Sequence, residues 1–177
     1  MKAILMSIRP ENLINILNGN KTLEQRKTVP TNFVGWVYLY CVKAKPYLGY
    51  GNYFTNSQNW ETGLTIGDNE NGFDTIMNGK IVARFWFDEY DVLTSYLDED
   101  GWVDNSMLNK LCLEQDDIDN YAKENYEKLF AWRIKNLEIF DKPMELSEFA
   151  VFDGWNYYQL EKPSPNWQYV WVKGEMK

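Results

Sequence analysis

The chain reads as a mixed α+β domain centred on a curled, mostly antiparallel sheet, and three observations lead there. Apolar runs with period-two alternation recur along its whole length. Two short stretches carry helical spacing instead. No glycine-rich phosphate loop follows any strand, which argues against a nucleotide-binding α/β fold. At 177 residues, one domain over 1–177 is expected, elaborated by an insertion at about 45–78.

"KAILMSI" (2–8) is a first strand, buried on at least one face. "RPENLINILNG" follows as a short helix. Pro10 favours the first helical position, Glu11 suits the positive end of the helix dipole, and Gly19 can close the helix in the left-handed conformation. Leu13, Ile14 and Leu17 form its expected buried stripe. Residues 21–28 run extended until Pro30.

"VGWVYLYCVKA" (34–44) is a strand with Trp36, Tyr38 and Tyr40 on one face and Val37, Leu39 and Cys41 on the other. "GKIVARFWFDEYDVL" (79–93) reads as one long strand, with Ile81, Ala83, Phe85 and Phe87 opposite Val82, Arg84, Trp86 and Asp88. "FAWRIKNLEIF" (130–140) is another and "WQYVWVK" (167–173) a closing one. Residues 45–78, rich in Gly, Asn and aromatics, read as a long irregular segment. "LCLEQDDIDNYAKENYEK" is helical from about Glu114, with Ile118, Tyr121 and Ala122 on one face.

Composition removes whole classes of chemistry. Histidine is absent, so a Ser-His-Asp triad, a Cys-His pair and every His-containing zinc site are excluded. Cys41 and Cys112, without neighbouring partners, cannot build a structural zinc site, and neither a metal nor a cofactor is expected. No run of about 18 apolar residues exists to span a bilayer. The opening residues fit a strand and not a signal peptide, so a cytoplasmic protein with two free thiols is expected.

Charge is distributed unevenly. The net charge is −8, yet residues 1–47 hold seven basic side chains against two acidic ones. A basic N-terminal face on an acidic body suits a localised anionic or polar ligand better than general adhesion to nucleic acid. Much of that charge sits in "NGNKTLEQRKTVP" (18–30), which contains Lys21, Glu24, Arg26 and Lys27. With Leu23 taken as core-facing, alternation sends Glu24 and Arg26 outward together. A Glu–Arg pair on one face can hold the guanidinium as a planar fork for a phosphate, a carboxylate or a base edge. The plainer reading is an exposed ion pair worth about 0–1 kcal/mol.

"GNKTLEQR" fits the pattern Gly-x-Lys-x-x-Glu-x-Arg and follows a strand and helix of suitable length. "AWRIKNLEIFDKPMELSEF" supplies a strand and a "DKPxEL" turn, and "SPNWQYVWV" a closing Trp and Tyr strand. In these segments, about 1–44 and 129–172, the chain resembles the ASCH domain family of bacterial and phage proteins. The resemblance implies a PUA-like, mostly antiparallel β-barrel flanked by short helices. It implies RNA or a modified nucleotide held in a cleft between the first helix and the barrel, lined here by Lys21, Glu24 and Arg26. Arg9, at the mouth of that helix, can join them on electrostatic grounds.

Some small proteins with this motif are N4-acetylcytidine amidohydrolases using a Lys and a Thr of this strand with a distal Glu. Lys21 matches their Lys, but Glu24 stands where their Thr nucleophile would, and Thr22 is out of place. A ribonuclease role, as in some ASCH proteins, would draw its base and cation from Lys21, Glu24 and Arg26.

Bases stack on exposed aromatic faces, which makes Trp132, Trp167 and Tyr169 ligand-binding candidates; core packing is the alternative. Tyr47, Tyr50, Tyr53 and Phe54 are candidates for a lid over the cleft. Asp98, Glu99, Asp100 and Asp104 lack the EF-hand register, because counting back from Gly101 starts the loop at Tyr96. They and "EQDD" (114–117) read as solvated acid, the latter at a helix start. A third reading is a protein-interaction module that docks a partner through its acidic face and aromatic loop.

Overall fold

Strand β1 (Lys2–Ile8) lies inside a seven-stranded sheet because both of its faces are apolar. Ile4, Met6 and Ile8 enter one core, while Ala3 and Leu5 enter a second. The computed structural model describes residues 1–51, 63–123 and 128–175. β1 pairs in parallel with β3 (Gly35–Cys41) and antiparallel with β13 (Trp167–Val172). Beyond β3 come β7 (Ile81–Phe87) and β10 (Lys135–Met144); beyond β13 come β11 (Phe149–Phe152) and the edge strand β12 (Tyr157–Gln159).

β3 repeats the two-faced pattern. Val37, Leu39 and Cys41 fill the first core, and Tyr38 and Tyr40 the second. Two buried faces explain why the chain spends so many aromatics, since each face demands apolar bulk. Cys41 is wholly buried and its thiol is pushed up to about 12 by desolvation; Cys112 is half-buried, and both are free.

Helix α1 (Pro10–Leu17) packs on the first core through Leu13, Ile16 and Leu17. Ile16, not Ile14, completes the stripe, because the three- and four-residue steps from Leu13 point it inward. Gly19 closes the turn at φ +73°, as its position suggests.

Two expected long strands are each two strands. Residues 79–93 divide into β7 and β8 (Tyr90–Val92), and 130–140 into β9 (Phe130–Arg133) and β10. β7 and β10 pair in the large sheet, whereas β8 and β9 join β2 (Leu23–Arg26) in a separate sheet ordered β2-β9-β8. Ion pairs pin the corner where the chain changes sheet: Lys135 with Asp88 at 2.8 Å and Glu89 at 3.0 Å, and Arg133 with Asp91 at 2.8 Å. A bulge at Val82 interrupts the β3–β7 register between Leu39↔Ala83 and Tyr40↔Ile81. It sends Val82 and Ala83 into the first core and Ile81 into the second, which corrects the strict alternation expected for this strand.

The described residues of the 45–78 segment are more ordered than its composition implies. β4 (Tyr47–Tyr50), β5 (Leu64–Gly67) and β6 (Thr75–Ile76) form a third sheet whose Leu48 and Leu64 pack on the first core. A Cβ at Gly49 would sit 2.0 Å from the Thr75 carbonyl, so only glycine fits there. The Asn78 amide ties the base of this sheet to the carbonyls of Ala44 at 2.7 Å and Pro46 at 3.2 Å. Tyr53 and Phe54, two of the lid candidates, lie outside the described residues.

Helices α2 (Asn105–Leu111) and α3 (Gln115–Ala122) cover the far face of β2, forming a third core with Leu23, Leu93 and Ala131. The expected barrel is not formed: among the described residues the three sheets stay open. Closure requires the terminal strands to meet, but β10 and β12 pair only with β7 and β11. No helix of the described residues is long and apolar enough to cross a membrane.

Trp132 joins the small sheet to the first core, 4.4 Å from Phe87 and 5.7 Å from Trp167 between ring centres, with its indole N–H donating to the Thr28 carbonyl. Trp132→Ala is expected to lower unfolding free energy by about 3–5 kcal/mol in urea denaturation. A loss below about 1 kcal/mol would contradict this packing.

Candidate functional site

Strand β2 is covered on both faces, and this places the charged motif. It pairs with β9 in the register Leu23↔Arg133, Glu24↔Trp132, Gln25↔Ala131 and Arg26↔Phe130. Leu23 faces the helices, so Glu24 and Arg26 face the seam between the small sheet and the first core, not water. The outward projection expected from alternation is thus corrected. Lys21 and Glu24 are 2% and 5% exposed.

Three charged groups converge there. Glu24 Oε1 lies 3.3 Å from Arg26 Nη2, and Glu24 Oε2 lies 3.5 Å from Lys21 Nζ. Lys21 Nζ also donates to the Leu111 carbonyl at the end of α2. Arg26 Nη2 donates to the Ser7 carbonyl of β1 at 2.7 Å. Buried charges are tolerated only when paired and hydrogen-bonded, and here the pairing is incomplete. Glu24 Oε2 and Gln25 Nε2 are buried without a hydrogen-bond partner among the described residues.

A cavity of about 140 Å³ opens beside them. Asn12 of α1, Lys21, Glu24 and Gln25 of the β2 segment, and Leu113, Asp117 and Tyr121 around α3 line it. The amine and carboxylate of the motif therefore share a hollow next to the first helix, while Arg26 stands behind Glu24. Asp117 also accepts from the Glu114 amide at 3.1 Å, so the acidic helix start both caps α3 and walls the cavity. Lys27 Nζ lies 4.8 Å from the centre of the Tyr121 ring. Helical spacing puts Leu113, Asp117 and Tyr121 on one face, but nothing local in the sequence points that face at β2.

The other candidates sit elsewhere. Arg9 is exposed at the N-cap of α1 and does not line the cavity. Trp132 is fully buried core. Trp167 donates to Thr28 Oγ1 at 3.0 Å and packs on Trp132 and Tyr169. Tyr169 carries Lys2 Nζ 3.7 Å from its ring centre. None of these three rings lines the cavity. Tyr47 is half-buried and Tyr50 exposed on β4, also outside it.

Two other hollows flank the site. The larger, about 700 Å³, is lined by Asp98, Trp102, Asp104 and Glu114 and by no Lys or Arg, so it suits an anionic ligand poorly. Its carboxylates organise the chain: Asp98 accepts from the Trp102 amide at 2.8 Å, and Asp104 caps α2 by accepting from Ser106 at 2.7 Å. The other, about 240 Å³, lies on the far face of β2 and includes Thr22, Asp91, Lys110 and Arg133. Thr22 lines this hollow and not the Lys21 cavity. Hydrogen bonds from Arg133, at 2.8 and 2.9 Å, hold the Asp91 carboxyl below its ordinary range against the opposing pull of burial; Tyr96 adds a third. Among the described residues no cluster of three His, Cys, Asp or Glu could hold a metal ion.

No family model matches the sequence, and no curated protein matches it. Solved structures do. The crystal structure of ASCH from Zymomonas mobilis is similar at 16% identity and a TM-score of 0.47, covering 81% of this chain and 73% of that one. A Tyr-to-Phe mutant of that protein is similar at 14% identity and 0.48, covering 82% and 77%. A Ser-to-Ala mutant stands at 14% and 0.47, covering 81% and 74%. The likeness to these ASCH structures is one of fold.

Glu24→Ala should strand the buried Lys21 and the half-buried Arg26 and cost about 3–5 kcal/mol of stability in chemical denaturation. Asp91 gives a pH test. A depressed folded-state carboxyl stabilises fully above the unfolded value of about 3.9, and that contribution is lost as pH falls through the folded value. The stability gap between wild type and Asp91→Asn should therefore narrow below about pH 4. A gap unchanged down to about pH 2 would count against the pairing.

Proposed function

We propose that the cavity between α1, β2 and α3 binds a single base of an RNA or a modified nucleotide. The observation that carries this reading is the buried Glu24 Oε2, ion-paired with Lys21 Nζ but without a hydrogen-bond donor, beside the equally unsatisfied Gln25 Nε2, on residues that line a 140 Å³ hollow. An unsatisfied acceptor and an unsatisfied donor on two neighbouring cavity-lining residues match the edge of a nucleobase, which offers both. Drug-sized sites span about 300–1,000 Å³, so this hollow has room for one planar ring and not for a whole nucleotide. Lys21, Arg26, Glu24 and Asp117 balance in charge, which favours a neutral ring over a phosphate.

In this reading Glu24 Oε2 accepts from an amino or imino N–H of the base, and Gln25 Nε2 donates to a ring carbonyl. Lys21 reaches a second acceptor, and Arg26 holds Glu24 in place from behind. The resemblance of the Gly-x-Lys-x-x-Glu-x-Arg segment to ASCH proteins supports the same residues. Binding is favoured over hydrolysis by a Ser or Thr nucleophile because no Ser or Thr of the described residues lines the cavity.

Isothermal titration with the common ribonucleosides, N4-acetylcytidine and a short single-stranded RNA tests it. At least one probe should bind, and Glu24→Gln should weaken it by about tenfold or more, the value of a hydrogen bond to a charged group. No binding by any probe, or equal affinity in Glu24→Gln, overturns the proposal. Acetate release from N4-acetylcytidine that is lost in Lys21→Met would replace binding with hydrolysis.

A further inference from the structure

The β11–β12 hairpin concentrates exposed aromatic surface that no buried site uses. Phe152, Trp155, Tyr157 and Tyr158 are 40%, 89%, 52% and 50% exposed. Their setting is rigid. The Asp153 carboxylate accepts from the Trp155 and Asn156 amides, both at 2.8 Å, and Gly154 takes φ +104°, so the turn holds the indole out in water. Phe152, Tyr157 and Trp171 pack together with ring centres 4.8 to 5.6 Å apart.

Backbone geometry adds a direction. Asp153 N–H donates to the Asn156 carbonyl and Leu160 N–H to the Phe149 carbonyl. Antiparallel ladders alternate between hydrogen-bonded and non-bonded pairs, so Val151↔Tyr158 is the bonded pair between them. The N–H and C=O groups of Tyr157 and Gln159 then point to the open side of β12, the last strand of the sheet. An edge that nothing pairs with among the described residues is a template for another strand.

We propose that this edge joins two copies of the chain in a symmetric dimer, β12 pairing antiparallel with its mate about a twofold axis at Tyr158. That register sets Tyr157 against the partner's Gln159 and brings both outward-facing backbone pairs together, leaving Tyr158 opposite its own copy in a non-bonded pair. A self-complementary edge suits an isologous contact. Charge favours the same occupant. Residues 149–173 carry two carboxylates and two amines on a chain of net charge −8, so this face brings two copies together without the repulsion felt elsewhere. The exposed rings supply about 500 Å² per copy, a large share of the about 800 Å² per partner in a standard interface. A nucleic acid would require a surplus of cations that this face lacks.

Light scattering after size-exclusion, over loading concentrations of about 5 to 500 µM, reads the result directly. Wild type should approach twice the 21.0 kDa chain mass. Tyr158→Glu should raise the dimer dissociation constant about tenfold or more. Gln159→Pro should do likewise, since it removes an outward N–H without breaking the ladder to β11. Circular dichroism confirms that each variant is folded. In a Cys112→Ser background, Tyr158→Cys should cross-link to itself on mild oxidation, because non-bonded pairs bring Cα atoms to about 4.5 Å. A monomer at every concentration overturns the proposal, as does a dimer that survives both edge variants and yields no cross-link.

Discussion

The buried carboxylate of Glu24 is held between two cations, and the surrounding structure is arranged to tolerate it. Lys21 reaches across to the end of α2, and Arg26 reaches back to β1, so one small ion cluster ties the helical layer, the small sheet and the large sheet together. Such a cluster is weak evidence for stability, since desolvation opposes the Coulomb gain. Its incomplete hydrogen bonding is more informative. A fold that only needed glue here could have used apolar side chains, and an unsatisfied carboxylate oxygen beside a cavity supports the ligand site proposed above.

The same two-sided covering recurs through the molecule. β1 and β3 divide their side chains between two cores, and β2 between the first and third. This arrangement takes up many of the aromatic side chains as core packing. Trp132, Trp167 and Tyr169 attract attention in the sequence because they lie in family-like segments, yet their ring faces meet Phe87, Lys2 and one another. The most exposed ring among the described residues, Trp155, is on the β11–β12 hairpin, at the end of the large sheet remote in order from β10.

Charge elsewhere does structural service. The salt bridges of Lys135 and Arg133 sit at the corner where 79–93 and 130–140 pass from one sheet to the other, and the acidic 97–105 loop folds around its own amides. Acid at the start of α3 shows how one residue can serve two ends: Asp117 caps the helix and also walls the cavity.

Local pattern in the chain was enough for α1 and its glycine stop, for β1, β3 and β13, and for singling out the charged segment of which Lys21 and Glu24 line the cavity. The absence of histidine alone removed the commonest hydrolytic machinery. These features depend on neighbours within a few residues, and periodicity records them. Tertiary structure decided the rest: the burial of Glu24 and Arg26, the division of two long strands at charged corners, the bulge at Val82, and the use of α3 as the cavity's outer wall. Each depends on what covers a second face, as when Lys21 bonds a carbonyl ninety residues away, and alternation says which side a residue takes but not what lies there.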